Sequence, residues 1–214
     1  YDSIHIKLDD VVYTDASFLQ MFDFPIKEGD RKTALAEPNT AVITESTAKK
    51  YFKNEDPVGK TLLTLNNIPV KITAITKDVP SLSSLQFTML ISWGTVVANK
   101  DYFFWMNNQT TNVVYSFVRL KENSNSEKVG EKISDLEHKY RDETEFAYRI
   151  FLQPLDDIHL HSSDIQYAEQ FHTNSGKIVY TLLIIAAFIL LIACINYMNL
   201  TTARNQDVSI VRVN

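Results

Sequence analysis

The sequence predicts an α+β domain with a mixed sheet, followed by one transmembrane α-helix. Three observations carry that expectation. Ile178 to Leu200 is an uncharged run of 23 residues, IVYTLLIIAAFILLIACINYMNL. Ahead of it, short β-branched runs alternate with short amphipathic patterns, without the long regular units of a doubly wound parallel sheet. The 177 residues before the run suffice for one globular domain with a core of its own, or for two small lobes.

Taken in order, Ile4-His5-Ile6-Lys7-Leu8 alternates apolar and polar residues and predicts a strand, which Val11-Val12-Tyr13 continues after Asp9-Asp10. Thr14 or Asp15 reads as a helix N-cap. Phe18, Met21 and Phe22 give the following short helix one apolar face, and Pro25 and Gly29 end it. Thr40 to Ile43 is a β-branched run. Thr44 then caps a helix whose stripe is Ala48, Tyr51 and Phe52. Asp56-Pro57-Val58-Gly59 is a turn by composition. Thr61 to Leu65 and Ile68 to Thr76, joined at Asn66-Asn67, predict a hairpin. Pro69 makes the start of its second strand an edge or a bend. Asp78 to Ser81 breaks the chain again. Leu85 to Ile91 predicts another strand. The aromatic group Tyr102 to Trp105 reads as core or as a lobe interface. Asn112 to Leu120 alternates Val114, Ser116 and Val118 against Val113, Tyr115 and Phe117, the strongest strand pattern in the chain. Val129, Ile133, Leu136 and Tyr140 stripe the longest helix of the domain, and Phe146 to Leu152 gives a last strand closed by Pro154.

The uncharged run predicts a membrane span. Twenty-three helical residues reach about 34 Å, enough for a hydrocarbon core of about 30 Å. Thirteen of them are Leu, Ile, Val or Phe. Together these favour insertion by about 4 to 8 kcal/mol before the polar residues subtract. Tyr180 and Tyr197 stand near the two ends, where aromatic rings prefer the headgroup level. The run lies too far from the N-terminus to be a signal peptide. Arg204 and Arg212 follow it, while Lys177, Glu169 and Asp164 precede it, which points the C-terminal end to the cytoplasm. Asn196 and Asn199 share one helix face. They are candidates for helix packing in the membrane or, alternatively, for headgroup contact. The chain opens on Tyr1 rather than Met, and reads as a piece of a longer protein.

The chemistry is sparse. A net charge of −5 gives no basic face for nucleic acid. Cys194 is the one cysteine, so there is no disulfide framework. Gly59-Lys60-Thr61 resembles the end of a phosphate-binding loop, but the glycine that pattern needs five positions earlier is Asn54. His159 and His161, with Asp156, Asp157 and His172 nearby, are the only metal candidates; the plainer reading is a polar turn. No nucleophile–base set is present, which predicts a protein that is not an enzyme.

Read together, Val12-Tyr13-Thr14-Asp15-Ala16-Ser17-Phe18, Ala41 to Phe52, Asp56 to Thr61, Val70 to Pro80, Gln153 to Ser162 and Leu191 to Arg204 resemble the permease subunits of MacB/FtsX-type ABC transporters, in particular those of Bacteroidetes-like genomes. The resemblance covers nearly the whole chain. Gln206 to Arg212 departs from it, standing where the family has a more basic segment with glycine. The resemblance implies a MacB-like periplasmic core domain at 1–176, a transmembrane helix at 177–203 and the start of a cytoplasmic segment at 204–214. It implies an inner-membrane protein with 1–176 in the periplasm and no cofactor in this chain, ATP being bound by a partner ABC ATPase subunit or domain. The other partners it implies are a second permease copy, membrane lipids, and a periplasmic adaptor or lipoprotein substrate. ATP-driven helix motion then exports or extracts a substrate at the periplasmic side. The absence of a Gly/Ser linker between domain and helix suits such transmission. The alternative is a membrane-anchored extracytoplasmic binding or sensor module without a transport role.

Overall fold

The computed structural model describes residues 10–53, 55–64, 67–100, 103, 114–140, 150–158, 162 and 176–210. The strand expected at Ile4–Leu8 and most of the aromatic group at 102–105 lie outside them. The chain divides into two compact units, Tyr1–Leu152 and Gln153–Asn214.

In the first unit, β1 (Val11–Thr14), β2 (Ile26–Glu28), β3 (Thr40–Thr44), β4 (Thr61–Leu63), β5 (Pro69–Thr76) and β6 (Met89–Ser92) form one sheet. Its order is β1-β6-β3-β5-β2, with β4 also on β5. β1 runs parallel to β6 and β3 parallel to β5, while the other pairings are antiparallel. The sheet is therefore mixed, as the sequence predicts. The helices of this unit are α1 (Phe18–Met21), α2 (Glu45–Phe52), α3 (Trp93–Ala98) and α4 (Ser126–Tyr140).

β3, Thr-Ala-Val-Ile-Thr, has a strand on each side and cover on both faces, so all five of its residues are buried. Ala41 and Ile43 pack with Ala48 of α2, Val70, Ile72, Met89 and Ile91. Val42 points the other way, to Leu19 of α1, Ala34, Leu35, Phe87 and Leu90. This period-2 division of one strand between two cores is what makes β3 the centre of the fold.

β5 carries a bulge. Ala41 pairs with Ile72 but Val42 with Ala74, which leaves Thr73 over. The Thr73 hydroxyl is shared between the carbonyls of Ala34 (2.6 Å) and Ala41 (3.0 Å). The bulge falls where the outer edge of β5 passes from β4, on Pro69–Lys71, to β2, on Ile75 and Thr76. Gly29 closes against it. Its φ is +90°, and a Cβ there would lie 2.6 Å from the Cβ of Ala74. Pro69 opens β5, as expected of a proline at a strand start, and β3 begins to pair with β5 only at Lys71.

Several expectations change. Ser17, not Thr14 or Asp15, holds the N-cap position of α1. Asp15 instead accepts from the Ser17 amide (2.7 Å) and hydroxyl (2.5 Å). Pro25 and Gly29 do bound α1, but the residues between them form β2. The expected strand Leu85–Ile91 shrinks to Met89–Ser92. Residues 114–120 of the expected strand 112–120 are in no strand, and Val114, Tyr115 and Val118 are exposed. Alternation makes a strand only where a ladder partner exists, and none pairs with this segment among the described residues. Its one inward ring, Phe117, meets Phe22 edge to face at 5.1 Å. Residues 150–152 are likewise in no strand; they lie along α4. There the expected apolar stripe is displaced by one position. Val129 and Ile133 are half-buried and Leu136 is exposed, while Gly130 and Ser134 take the buried contact. A Cβ on Gly130 would come 3.3 Å from the carbonyl oxygen of Ile150, so a small residue suits the approach.

In the second unit, a short 3-10 turn at Leu155–Asp157 precedes α5 (Gly176–Ile210), a helix of 35 residues. At 1.5 Å per residue it is about 52 Å long.

Candidate functional site

Gly176–Arg204, the first 29 residues of α5, is long and apolar enough to cross a membrane. Lys177 to Leu200 are all exposed, which is the opposite of a helix at the centre of a soluble core. The threonine hydroxyls of this helix satisfy themselves within it. Thr181 donates to the Lys177 carbonyl (2.8 Å), Thr202 to Met198 (2.9 Å), and Thr201 to Tyr197 (3.0 Å) and Met198 (2.9 Å). The carboxamides of Asn196 and Asn199 have no such partner among the described residues. They project about 60° apart on one face. The two asparagines singled out from the sequence thus lie three residues apart in α5.

The polar groups of the sheet domain serve its architecture. Thr44 caps α2 as the sequence predicts, its hydroxyl accepting from the Thr47 amide (3.4 Å). Asp78 reaches the same helix end and accepts from the Ser46 amide (2.9 Å) and hydroxyl (2.6 Å). The Ser46 hydroxyl is the main reason that the Asp78 carboxyl is held below its usual value. Glu45 lies between Lys27 (2.5 Å) and Lys49 (3.2 Å), whose hydrogen bonds lower its carboxyl. Lys60 pairs with Glu55, lowering that carboxyl in turn, and stands 5.3 Å from the centre of the Phe52 ring. Gly59 and Lys60 use their backbone on β5: the Gly59 amide donates to the Ile72 carbonyl and the Ile72 amide to the Lys60 carbonyl, both at 2.8 Å. That turn anchors a strand, and the Gly59 amide is committed to the strand instead of being free for a phosphate.

Sequence reasoning missed Arg31. Its guanidinium donates to the carbonyls of Leu19 (2.7 Å), Phe22 (3.1 Å) and Phe24 (2.5 Å) and lies 3.5 Å from Asp23. It also missed that Phe24 and Phe87 join Phe18 and Phe22 of the expected apolar face, the four rings lying edge to face, tilted or stacked at 4.8 to 6.3 Å. An arginine that binds backbone carbonyls several residues away leaves no local pattern to read. His159 and His161 lie outside the described residues, and among the described residues no group of three metal-ligating side chains gathers.

The comparisons with known proteins follow the sheet domain. The family model of the MacB-like periplasmic core domain matches residues 4–136. Among solved structures, the chain is similar to a domain of a protein described as a permease, from Porphyromonas gingivalis. The identity is 24%, over 68% of this chain and 69% of that one, at a TM-score of 0.45. It is also similar to the periplasmic region of MacB from Actinobacillus actinomycetemcomitans, at 16% identity over 67% of this chain and 60% of that one, TM-score 0.44. No curated protein matches. Since the family match takes in more than half of the 214 residues, the chain belongs to the family of the MacB-like periplasmic core domain.

Proposed function

We propose that this chain is the periplasmic domain and the following span of a permease subunit of a MacB/FtsX-type ABC transporter. The observation that carries the reading is the succession in one chain of a MacB-like periplasmic core domain and an exposed apolar helix long enough to cross a bilayer. On this reading residues 1–176 stand in the periplasm and α5 returns the chain through the inner membrane, with Arg204 at its cytoplasmic end. A partner ABC ATPase binds and hydrolyses ATP, and this chain performs no catalysis. Motion of α5 reaches the periplasmic domain and drives export or extraction of a substrate on that side.

The test has two arms on the full-length protein in a Cys194→Ser background. In spheroplasts, a membrane-impermeant maleimide is expected to label Lys77→Cys from outside, and Arg204→Cys only after permeabilisation. Affinity purification from the same membranes is expected to bring down an ABC ATPase whose hydrolysis in proteoliposomes changes with this subunit. Labelling of Lys77→Cys only from the cytoplasmic side would overturn the topology. Correct topology with no ATPase in the complex would leave a membrane-anchored binding or sensor module instead.

A further inference from the structure

We propose that residues 197–202 form a joint in α5, at which the end of the helix beyond Thr202 bends against the span. The inference rests on the membrane reading above and deepens it by locating where the span yields.

The hydrogen bonds are the first argument. The Thr201 hydroxyl donates to the Tyr197 carbonyl at 3.0 Å and to that of Met198 at 2.9 Å, and the Thr202 hydroxyl donates to Met198 at 2.9 Å. By the i→i−4 pattern of the helix the Thr202 amide also donates to Met198. A carbonyl oxygen has two lone pairs, and this one meets three donors. A threonine hydroxyl bonded back to the preceding turn competes with the amide, weakens the ladder and bends the helix. Thr181, the remaining threonine of α5, places a single hydroxyl on the Lys177 carbonyl. Met198 therefore carries the one carbonyl of α5 on which two threonine hydroxyls converge.

Sequence and depth are the second. Residues 182–195, LLIIAAFILLIACI, hold no hydroxyl, carboxamide or charge, so no strong polar side chain there competes for a backbone carbonyl. Residues 196–202, NYMNLTT, hold two asparagines and two threonines, which favour the helix less than leucine or alanine does. A stiff rod thus gives way to its weakest two turns. A hydrocarbon core of about 30 Å centred between Lys177 and Arg204 ends close to Leu200. Deeper in the span an opened carbonyl or amide would meet only hydrocarbon. At Thr201 and Thr202 water reaches it, so the ladder opens there at least cost. The helix runs on to Ile210, so the bend re-aims a piece about 12 Å long.

The test uses the full-length protein in lipid nanodiscs, with amide hydrogen exchange resolved across residues 182–204. Thr201→Val with Thr202→Val keeps size and β-branching and removes both hydroxyls. The amides of 201 and 202 are expected to exchange about 5-fold or more faster in the parent than in the valine pair. Thr201→Ser with Thr202→Ser is expected to keep the parent rates, and amides 184–195 to stay protected in every variant. Exchange at 201 and 202 that the valine pair leaves unchanged or speeds up would overturn the proposal. So would parent amides there as protected as those of 184–195. Solid-state NMR of amide nitrogens in aligned bilayers reads the bend itself. Residues 203–210 are expected to tilt about 20° or more away from 182–195 in the parent and less in the valine pair. One common tilt in both would also overturn the joint. If the valine pair does not insert, Arg204→Cys is labelled from outside in spheroplasts, and each single valine variant is then read by the same criteria. The maleimide labels at 77 and 204 report topology without reference to this turn, so failure of the membrane reading and failure of the joint are separately visible.

Discussion

The guanidinium of Arg31 is the residue on which the approach of α1 to the sheet turns. It reaches three carbonyls at the C-terminal end of a four-residue helix, too short to hold itself together. Arg31→Ala leaves those half-buried carbonyls without their charged donor and is expected to cost about 3 kcal/mol in urea unfolding. Arg31→Lys is expected to recover only part of this, since an ammonium does not reproduce the fork. Asp78 gives a prediction in pH. Its folded-state value is lowered by the Ser46 hydroxyl and amide. A lowered carboxyl stabilises the fold above its unfolded value of about 3.9, and that contribution is lost as the pH falls through the lower folded value. Asp78→Ala is therefore expected to cost about 1 kcal/mol at pH 7, the scale of an exposed helix cap. The gap to the parent should narrow as the pH falls below the unfolded value and close once it has passed the lower folded-state value, as read in thermal melts. Thr44 could be read in advance because a cap is a local device, a threonine before a helical stripe. Arg31 and Asp78 could not, because their partners are brought up by the fold from 7 to 12 and from 32 residues away.

At the scale of elements, the hydroxyl of Ser134 ties α4 to the segment that follows it. It accepts from the Ile150 amide (2.9 Å) and donates to the Ile150 carbonyl (3.2 Å). Ser134→Ala removes both bonds at a buried position and is expected to cost about 1 to 2 kcal/mol. Hydrogen exchange at the Ile150 amide should accelerate in that variant, with unchanged exchange counting against the contact. The elements legible in the sequence were those whose signal is internal: β3 with its β-branched run, the β4–β5 hairpin and α4. β2 was not, since three residues between a proline and a glycine carry no periodicity, and only the free lower edge of β5 makes them a strand. The segment 114–120 shows the converse. Its alternation is real, but no strand among the described residues offers it a ladder. The bulge at Thr73 was equally invisible, because it exists only in the pairing with β3.

For the whole molecule, the composition of α5 decides where it sits. Its apolar residues favour insertion by about 4 to 8 kcal/mol, and one arginine near the centre costs about 2.5 to 3.5. Leu190→Arg or Leu191→Arg alone is expected to leave Arg204→Cys closed to a membrane-impermeant maleimide in spheroplasts. The two together cost about 5 to 7 kcal/mol, besides the leucines lost, and are expected to keep α5 from inserting, so that Arg204→Cys is labelled from outside. Such labelling in either single variant, or its absence in the pair, would contradict this expectation. The α+β class, the mixed sheet and the helix were all legible, because they rest on patterns that average over many residues. The two candidate histidines lie outside the described residues, while the candidate asparagines fall on one face of α5, since a helix position follows from sequence spacing alone.

Among the described residues β1 is an edge strand, and its ladder is with β6, Val11 opposite Met89. During synthesis β1 must therefore wait for a ladder partner 78 positions behind it, the difference between 89 and 11. At about 5 to 20 residues per second that is a delay of about 4 to 16 s, during which β1 lacks its ladder with β6. A nascent copy of this chain thus has an interval in which a holding chaperone is worth having, and it closes only when Ser92 arrives.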